Sequence, residues 1–161
     1  MLATPLQPRD VFLGELAWNG VMLTLQALPF LLIMGLFGIT ETPSSLLAVP
    51  VAVLVGLAFF AAVMAWTATL QRDTAYNWLF RFVLTPLFLL SGTFFPIDPL
   101  PTWAKVVANA TPLYHGIELI RGFMISPITS AATAWHLFYL IVFLFIGTSL
   151  GIRNLTKRLT P

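Results

Sequence analysis

Two long stretches without charge constrain this chain most. Residues 16–40 and 42–71 contain no Asp, Glu, Lys or Arg, and each exceeds the roughly 20 residues that an α-helix needs to cross a bilayer. Across the sequence 58% of the residues are hydrophobic and 9% are charged. Because a soluble domain needs a more polar surface than this, we predict an integral membrane protein.

The fold class follows from the pattern within these stretches. They lack the alternation of a barrel strand, and in lipid each segment must satisfy its own backbone hydrogen bonds. We therefore predict an all-α integral membrane fold, a single transmembrane domain over residues 1–161. Its four transmembrane helices are expected at about 16–40, 46–71, 79–95 and 133–152, with a short re-entrant or interfacial helical hairpin at about 96–124.

The basic residues indicate the orientation. With both termini in the cytoplasm, that side receives Arg9, Arg72, Arg81, Arg153, Lys157 and Arg158. The opposite side then receives only Lys105 and Arg121, as the excess of positive charge on cytoplasmic loops requires. We predict a multi-pass protein of the cytoplasmic (inner) membrane. The basic residues form no continuous stripe, so nucleic acid is not an expected partner.

The third predicted span ends at a proline-rich break in the stretch TPLFLLSGTFFPIDPLPTW, residues 85–103. Beyond it, Thr102 is predicted to cap a short helix that ends near residue 109. Thr111, with Pro112 at the first helical position, is predicted to start another that ends near residue 124. Both helices are too short to cross a bilayer.

The second of these short helices is predicted to be amphipathic. A helical wheel groups four apolar side chains, Leu113, Ile117, Ile120 and Met124. The polar side chains fall on the side turned away from them: Tyr114, His115, Glu118 and Arg121. Glu118 and Arg121 are three residues apart and are expected to pair. Such a helix suits the outer leaflet as part of a hairpin, and an ordinary solvated loop is the alternative.

Several short motifs, in order, give the chain a family resemblance. They are Leu90-Ser91-Gly92, Phe95-Pro96, Leu100-Pro101, Pro112-Leu113 and Ile120-Arg121. With this order and spacing, nearly the whole chain resembles the permease subunit of type-2 ABC transporters, the class that includes nodulation lipo-oligosaccharide and daunorubicin-type exporters. The resemblance begins at the third helix of that family, so we expect its first two helices to be missing from this sequence.

The resemblance implies a division of labour. Family members have six helices per permease, pair two permeases, and bind ATP and magnesium on separate or fused ATPase domains. The segment before the family's third helix contributes to ATPase coupling, which here implies Pro5, Arg9, Asp10 and Glu15. Two short re-entrant helices form an outer-face hairpin and gate, which here implies Ser91, Gly92, Phe95, Pro96, Pro101, Pro112, Glu118 and Arg121.

Catalytic and metal-binding motifs do not account for the function of this chain. The sequence contains no G-x-x-x-x-G-K-[ST] phosphate loop, no H-E-x-x-H and no cysteine, so we predict a transport subunit that is not itself an enzyme and binds no cofactor. The two histidines lie on different predicted helices. We expect His115 on the polar side of the hairpin and His136 at the membrane interface beside Trp135.

The last span carries GTSLG, residues 147–151, whose small residues four apart favour close approach of another helix. The spans carry no dedicated charge of the kind that marks ion routes. We therefore predict export of an amphiphile, a lipid-linked saccharide or a hydrophobic drug. The expected partners are an ABC ATPase subunit, a second permease copy and membrane lipid. The alternatives are a non-transporting scaffold, an intramembrane enzyme and a truncated, inactive permease fragment.

Overall fold

A computed structural model describes residues 7–40, 43–70, 78–94, 99, 101–125 and 129–159. Its α-helices are α1 (Pro8–Leu36), α2 (Ala48–Thr67), α3 (Thr85–Leu90), α4 (Thr102–Asn109), α5 (Pro112–Met124) and α6 (Ser130–Leu159). A 3-10 helix, Pro43–Leu47, leads into α2, and a π-helical segment, Leu79–Leu84, leads into α3. All regular structure in the described residues is helical, and the all-α membrane fold is confirmed.

Three helices in the described part of the chain are long and apolar enough to cross a bilayer. They are Pro8–Leu36, Ser44–Thr67 and Ser130–Leu159. The third predicted span, 79–95, coincides in part with a shorter apolar helix, Arg81–Leu90. The number of four crossings therefore stays a prediction.

The π-helical segment ends at Leu84, two residues before Pro86. Pro86 lies in the first turn of α3, where its missing backbone N–H is tolerated. At the other end of α3, Ser91 Oγ donates to the Phe88 carbonyl at 2.7 Å and lies 2.8 Å from the Thr93 hydroxyl. Gly92 then turns the chain with a φ of +88°, a conformation typical of the glycine that follows a helix.

Helix α2 lies at the centre of the bundle and packs against α1, α5 and α6. Its buried side is a row of small and β-branched residues three or four apart: Ala48, Val51, Val55, Ala58, Ala61 and Ala65. Such spacing keeps the side chains on one face of a helix. Because they are small, neighbouring helices approach closely, as is common in membrane bundles.

The two glycines of GTSLG make their close approach within this chain. A Cβ added to Gly147 would lie 3.1 Å from the Ala61 Cβ and 3.1 Å from the backbone nitrogen of Ala62, both on α2. A Cβ on Gly151 would overlap the ring of Phe12 on α1. Gly147 and Gly151 therefore seat α6 against α2 and α1.

Candidate functional site

The hairpin α4–α5 has helices at the predicted bounds. Thr111 caps α5, its hydroxyl accepting the Tyr114 N–H at 3.4 Å, and Pro112 occupies the first turn. The predicted cap of α4 is wrong. Pro101 holds the cap position in an extended conformation, and Thr102 is already helical, because the ring of Pro101 fixes a φ that is compatible with entry into the helix.

One side of α5 packs into the bundle. His115, Gly116 and Leu119 are buried, and His115 is only 3% exposed. A Cβ on Gly116 would overlap the Val55 side chain of α2. Because glycine lets the two backbones approach, the Gly116 side of α5 faces the protein and takes His115 with it. His115, expected on the polar side of the hairpin, is therefore buried against the protein.

The turn between α4 and α5 contacts the last helix, α6, beyond the first turns of that helix. The hydroxyl of Tyr139 donates to the Ala110 carbonyl at 2.7 Å. Tyr139 lies roughly 13 Å from the start of α6 at Ser130, given about 1.5 Å of rise per residue. The hydrogen bond holds the turn of the hairpin against the side of α6.

A histidine pair lies beside that turn. Nδ1 of His115 is 2.6 Å from Nδ1 of His136, and Nε2 of His115 is 3.0 Å from the Asn109 carbonyl oxygen. The His115 ring also stacks on Tyr139, with centroids 3.9 Å apart. Burial lowers the pKa of His115, the bond to Asn109 opposes this, and the neighbouring His136 lowers it further. His136, which was expected at the membrane interface beside Trp135, contacts His115 of the hairpin.

An arginine connects the other side of the hairpin to the end of α3. Arg121 Nη1 donates to Glu118 Oε1 at 3.1 Å, which confirms the predicted pair. Its Nη2 donates to the Gly92 carbonyl at 3.2 Å. Three predicted gate residues, Gly92, Glu118 and Arg121, are therefore brought together, with Ser91 fully buried beside them.

The remaining predicted gate residues lie elsewhere or cannot be placed. Pro112 is buried at the start of α5. Pro101 is exposed where the chain enters α4. Phe95 and Pro96 lie outside the described residues.

The predicted ATPase-coupling residues lie on the first turns of α1. Arg9, Asp10 and Glu15 are exposed there, and Pro5 lies outside the described residues. Asp10 also has a structural role, because its Oδ2 accepts the Gln7 N–H at 3.1 Å and so satisfies a free donor at the helix start.

Two adjoining apolar cavities, of about 360 Å³ and about 240 Å³, lie between α2 and the segment formed by the π-helical turn and α3. They share Phe59, Leu84 and Leu87. Ala110 and Thr111, at the tip of the hairpin, border the smaller one. The hairpin thus closes one end of an apolar cleft.

The described ranges contain no group of three His, Asp or Glu side chains that could hold a metal ion. The residues GTSLG, 147–151, also fit G-x-S-x-G, the sequence pattern of a nucleophile elbow. Ser149, however, lies in the middle of the continuous helix α6. A nucleophile elbow needs a strand-to-helix turn, so this match has no catalytic context.

Comparison with known proteins decides the family. The model of the family described as "ABC-2 type transporter" matches residues 1–125. The chain belongs to this ABC-2 family. It is a multi-pass membrane protein of a transporter family, and the predicted hairpin, about 96–124, lies entirely inside the matched range. No solved structure matches the chain.

Several curated proteins are identical to this chain at about a third of the aligned positions. It is 33% identical over 162 residues to "Nodulation protein J" of Rhizobium leguminosarum bv. trifolii, covering 98% of this chain and 61% of the relative. The protein of the same name from Rhizobium meliloti is 34% identical over 162 residues, covering 100% of this chain and 61% of the relative. The chain therefore spans about three fifths of the length of these relatives.

Sequence reasoning missed three residues that hold this ABC-2 chain together. Phe12 and Gly116 make their contacts with elements distant in the sequence, and Tyr139 reaches a carbonyl group 29 positions away. A weak signal existed for Gly116, since glycine between larger residues of a short helix is typical of close packing. No pattern in the sequence pointed to Phe12 or Tyr139.

Proposed function

We propose that this chain is the membrane-spanning subunit of an ATP-driven exporter that moves an amphiphile, a lipid-linked saccharide or a hydrophobic drug, out across the cytoplasmic membrane. Membership of the ABC-2 family supports a transport role. In this proposal both termini face the cytoplasm and the hairpin α4–α5 is the outer gate. A partner ABC ATPase subunit binds ATP and magnesium, and a second permease copy completes the pathway.

One structural observation carries the proposal: a single uninterrupted helix, α6, contacts both the proposed coupling segment and the proposed gate. Near its carboxyl end, Gly151 receives Phe12 from the start of α1. One turn further on, Asn154 Nδ2 donates to the Ala65 carbonyl of α2 at 2.9 Å. Near its amino end, His136 and Tyr139 contact the hairpin.

The contacts of α6 suggest how ATP binding reaches the gate. Phe12 is fully buried, while Arg9 and Glu15 around it are exposed. A partner that moves these charges moves Phe12 with them. Because Phe12 packs on Gly151, α6 tilts, and its far end shifts against the hairpin. The proposed motion thus passes from the ATPase to the gate through one helix.

The apolar cleft beside α3 suits the lipid-like part of such a cargo. Its lining is almost entirely hydrophobic, and Thr85 and Thr111 are the polar residues among those that line it. Transfer of an apolar chain into such surroundings has little cost. Arg121 and Glu118 at the gate neutralise one another, so they offer no fixed charge that would select an ion.

A reconstitution experiment tests this function. The chain and the ABC ATPase that copurifies with it are placed in proteoliposomes, and ATP hydrolysis and outward transfer of a fluorescent amphiphile are measured. The double change Arg9→Gln with Glu15→Gln is expected to reduce both at least tenfold. Asp10 is left intact because it caps α1. Lys105→Gln on the hairpin is the matched control and should leave ATPase coupling unchanged.

Three results would count against the exporter. They are the absence of any copurifying ABC ATPase, hydrolysis that is indifferent to the permease, and transfer that continues without nucleotide. A stable complex that neither hydrolyses ATP nor moves an amphiphile would favour the scaffold. The orientation is tested separately: cysteine at Val106 should react with an impermeant reagent on intact cells, and cysteine at Lys157 only after permeabilisation.

A further inference from the structure

The geometry around His115 fixes where its hydrogens lie. Nε2 of His115 is 3.0 Å from the Asn109 carbonyl oxygen, and its Nδ1 is 2.6 Å from Nδ1 of His136. Because a carbonyl oxygen only accepts, Nε2 of His115 must carry a hydrogen. In the neutral ring Nδ1 is then an acceptor. The hydrogen between the rings therefore belongs to Nδ1 of His136.

This assignment limits how many protons the closed contact tolerates. A first additional proton can attach to Nε2 of His136, and the bond between the rings is unchanged. A second can attach only to Nδ1 of His115, where its hydrogen would point at the N–H of His136. Two donors cannot bond to each other, and two adjacent cations repel. The contact therefore accepts one extra proton and is broken by two.

We propose that His115 and His136 form a proton-operated latch, which holds the hairpin on α6 while at most one ring is charged and releases it when both are. The Tyr139 bond to Ala110 belongs to the same interface and adds to the closed state. The role of the latch in regulating export rests on the proposed function. The contact between the two histidines does not depend on the proposed function.

The burial of His115 sets the direction of the response. Burial lowers its pKa from the ordinary value of 6.5, with the Asn109 bond opposing this and His136 adding to it. The closed state thus binds fewer protons than the open one. Its stability is complete above the ordinary pKa and falls as the pH drops toward the lowered pKa. Mild acid on the side that the hairpin faces should therefore open the latch.

The other ionisable groups around the pair lie on the hairpin and on α6. The residues of α2 and of the 3-10 helix include no ionisable side chain. Glu118 and Arg121 are paired with each other. The groups on the elements that pack here are Lys105 of α4, Tyr114, Glu118 and Arg121 of α5, and Tyr139 of α6. Because histidine is the side chain whose ordinary pKa lies between about 5 and 8, a transition in this range is attributable to the two histidines.

A distance measurement tests the latch directly. The chain has no cysteine, so spin labels attach only at cysteines introduced at Val106 on α4 and Ala134 on α6, both exposed. In nanodiscs, lowering the pH from about 7.5 to about 5 should convert most of the distance distribution to a longer component. His136→Asn should keep the short distance at both values, because its amide can turn to offer Nδ1 of His115 either a donor or an acceptor.

Tyr139→Phe provides the second variant. It removes the bond to Ala110 without changing either histidine, so the long component should increase at both pH values while its pH dependence persists. If the distance distribution of the native chain is the same at both pH values, the latch is wrong. The latch is also wrong if the His136→Asn chain shifts to the longer distance in acid as the native chain does. Circular dichroism and gel filtration confirm that each variant is folded.

The distance measurement needs neither ATPase nor substrate, so its outcome is separate from that of the transport assay. If the latch opens in acid while the reconstituted complex exports equally at both pH values, the regulatory role is wrong and the contact stands. If the latch opens and no export occurs at any pH, the proposed function fails and the contact again stands.

Discussion

Phe12, near the start of the first helix, fills the space that a side chain on Gly151 would need near the end of the last. The ring is fully buried, although the residues on either side of it in the sequence are exposed. One aromatic ring thus joins two helices whose positions in the sequence are far apart.

The first prediction concerns Gly151→Ala. The added methyl overlaps Phe12, and overpacking of this kind costs about 1–3 kcal/mol, so the thermal transition in detergent should fall. Gly14→Ala is the matched control, because a Cβ at Gly14 meets nothing within 4 Å. It should be neutral or slightly stabilising, as alanine is in helices. Equal behaviour of the two variants would contradict the packing described.

The second prediction concerns the approach of the hairpin to α2. Gly116→Ala should loosen the hairpin, because its methyl overlaps Val55, at a cost of about 1–3 kcal/mol. Val55→Ala removes the obstructing atoms, so the double variant should recover most of the loss. Protease sensitivity of the hairpin and the thermal transition measure both effects. Additive losses, with no recovery, would show that the two residues are not in contact.

The third prediction concerns Arg121. Arg121→Gln removes the bonds to Glu118 and to the Gly92 carbonyl, with an expected loss of about 1 kcal/mol for a partly exposed group. Spin labels at Leu89 and Ile125, both exposed, should show a broader distance between α3 and α5. Lys105→Gln removes a hairpin cation that does not bind Gly92, and the distribution should stay narrow.

The fourth prediction concerns Gly92, whose φ is +88°. Gly92→Ala should destabilise the end of α3 by about 1–2 kcal/mol, because a Cβ is strained in this region. Asparagine tolerates it better, so Gly92→Asn should cost less. Hydrogen exchange of the α3 amides reports the difference, and equal exchange in the two variants would argue against the left-handed turn.

The parts that the sequence predicted are those that local chemistry decides. The apolar stretches without charge required helices, and the bounds of α4 and α5 followed from Thr111, Pro112 and the spacing of apolar residues. The pair of Glu118 and Arg121 followed from their separation on one helix. In each of these correct predictions, the residues that decide the structure lie within a few positions of each other in the sequence.

The parts that could not be predicted depend on which helices meet. The wheel grouped Leu113 with Ile120 because it weighs hydrophobicity, whereas the approach of α5 to α2 depends on the absence of a side chain at Gly116. In a membrane, apolar side chains are equally compatible with lipid and with protein. Hydropathy therefore could not say which side of α5 faces inward. The contact between His115 and His136 follows from that orientation.

The glycines of α6 have a consequence for assembly. Gly147 and Gly151 are occupied by α2 and by Phe12 of the same molecule, so a second permease could use this stripe only by first displacing part of the first. Phe30 of α1 and Phe145 of α6, by contrast, are exposed in the single chain, so a helix that approaches α1 or α6 from outside meets large side chains there.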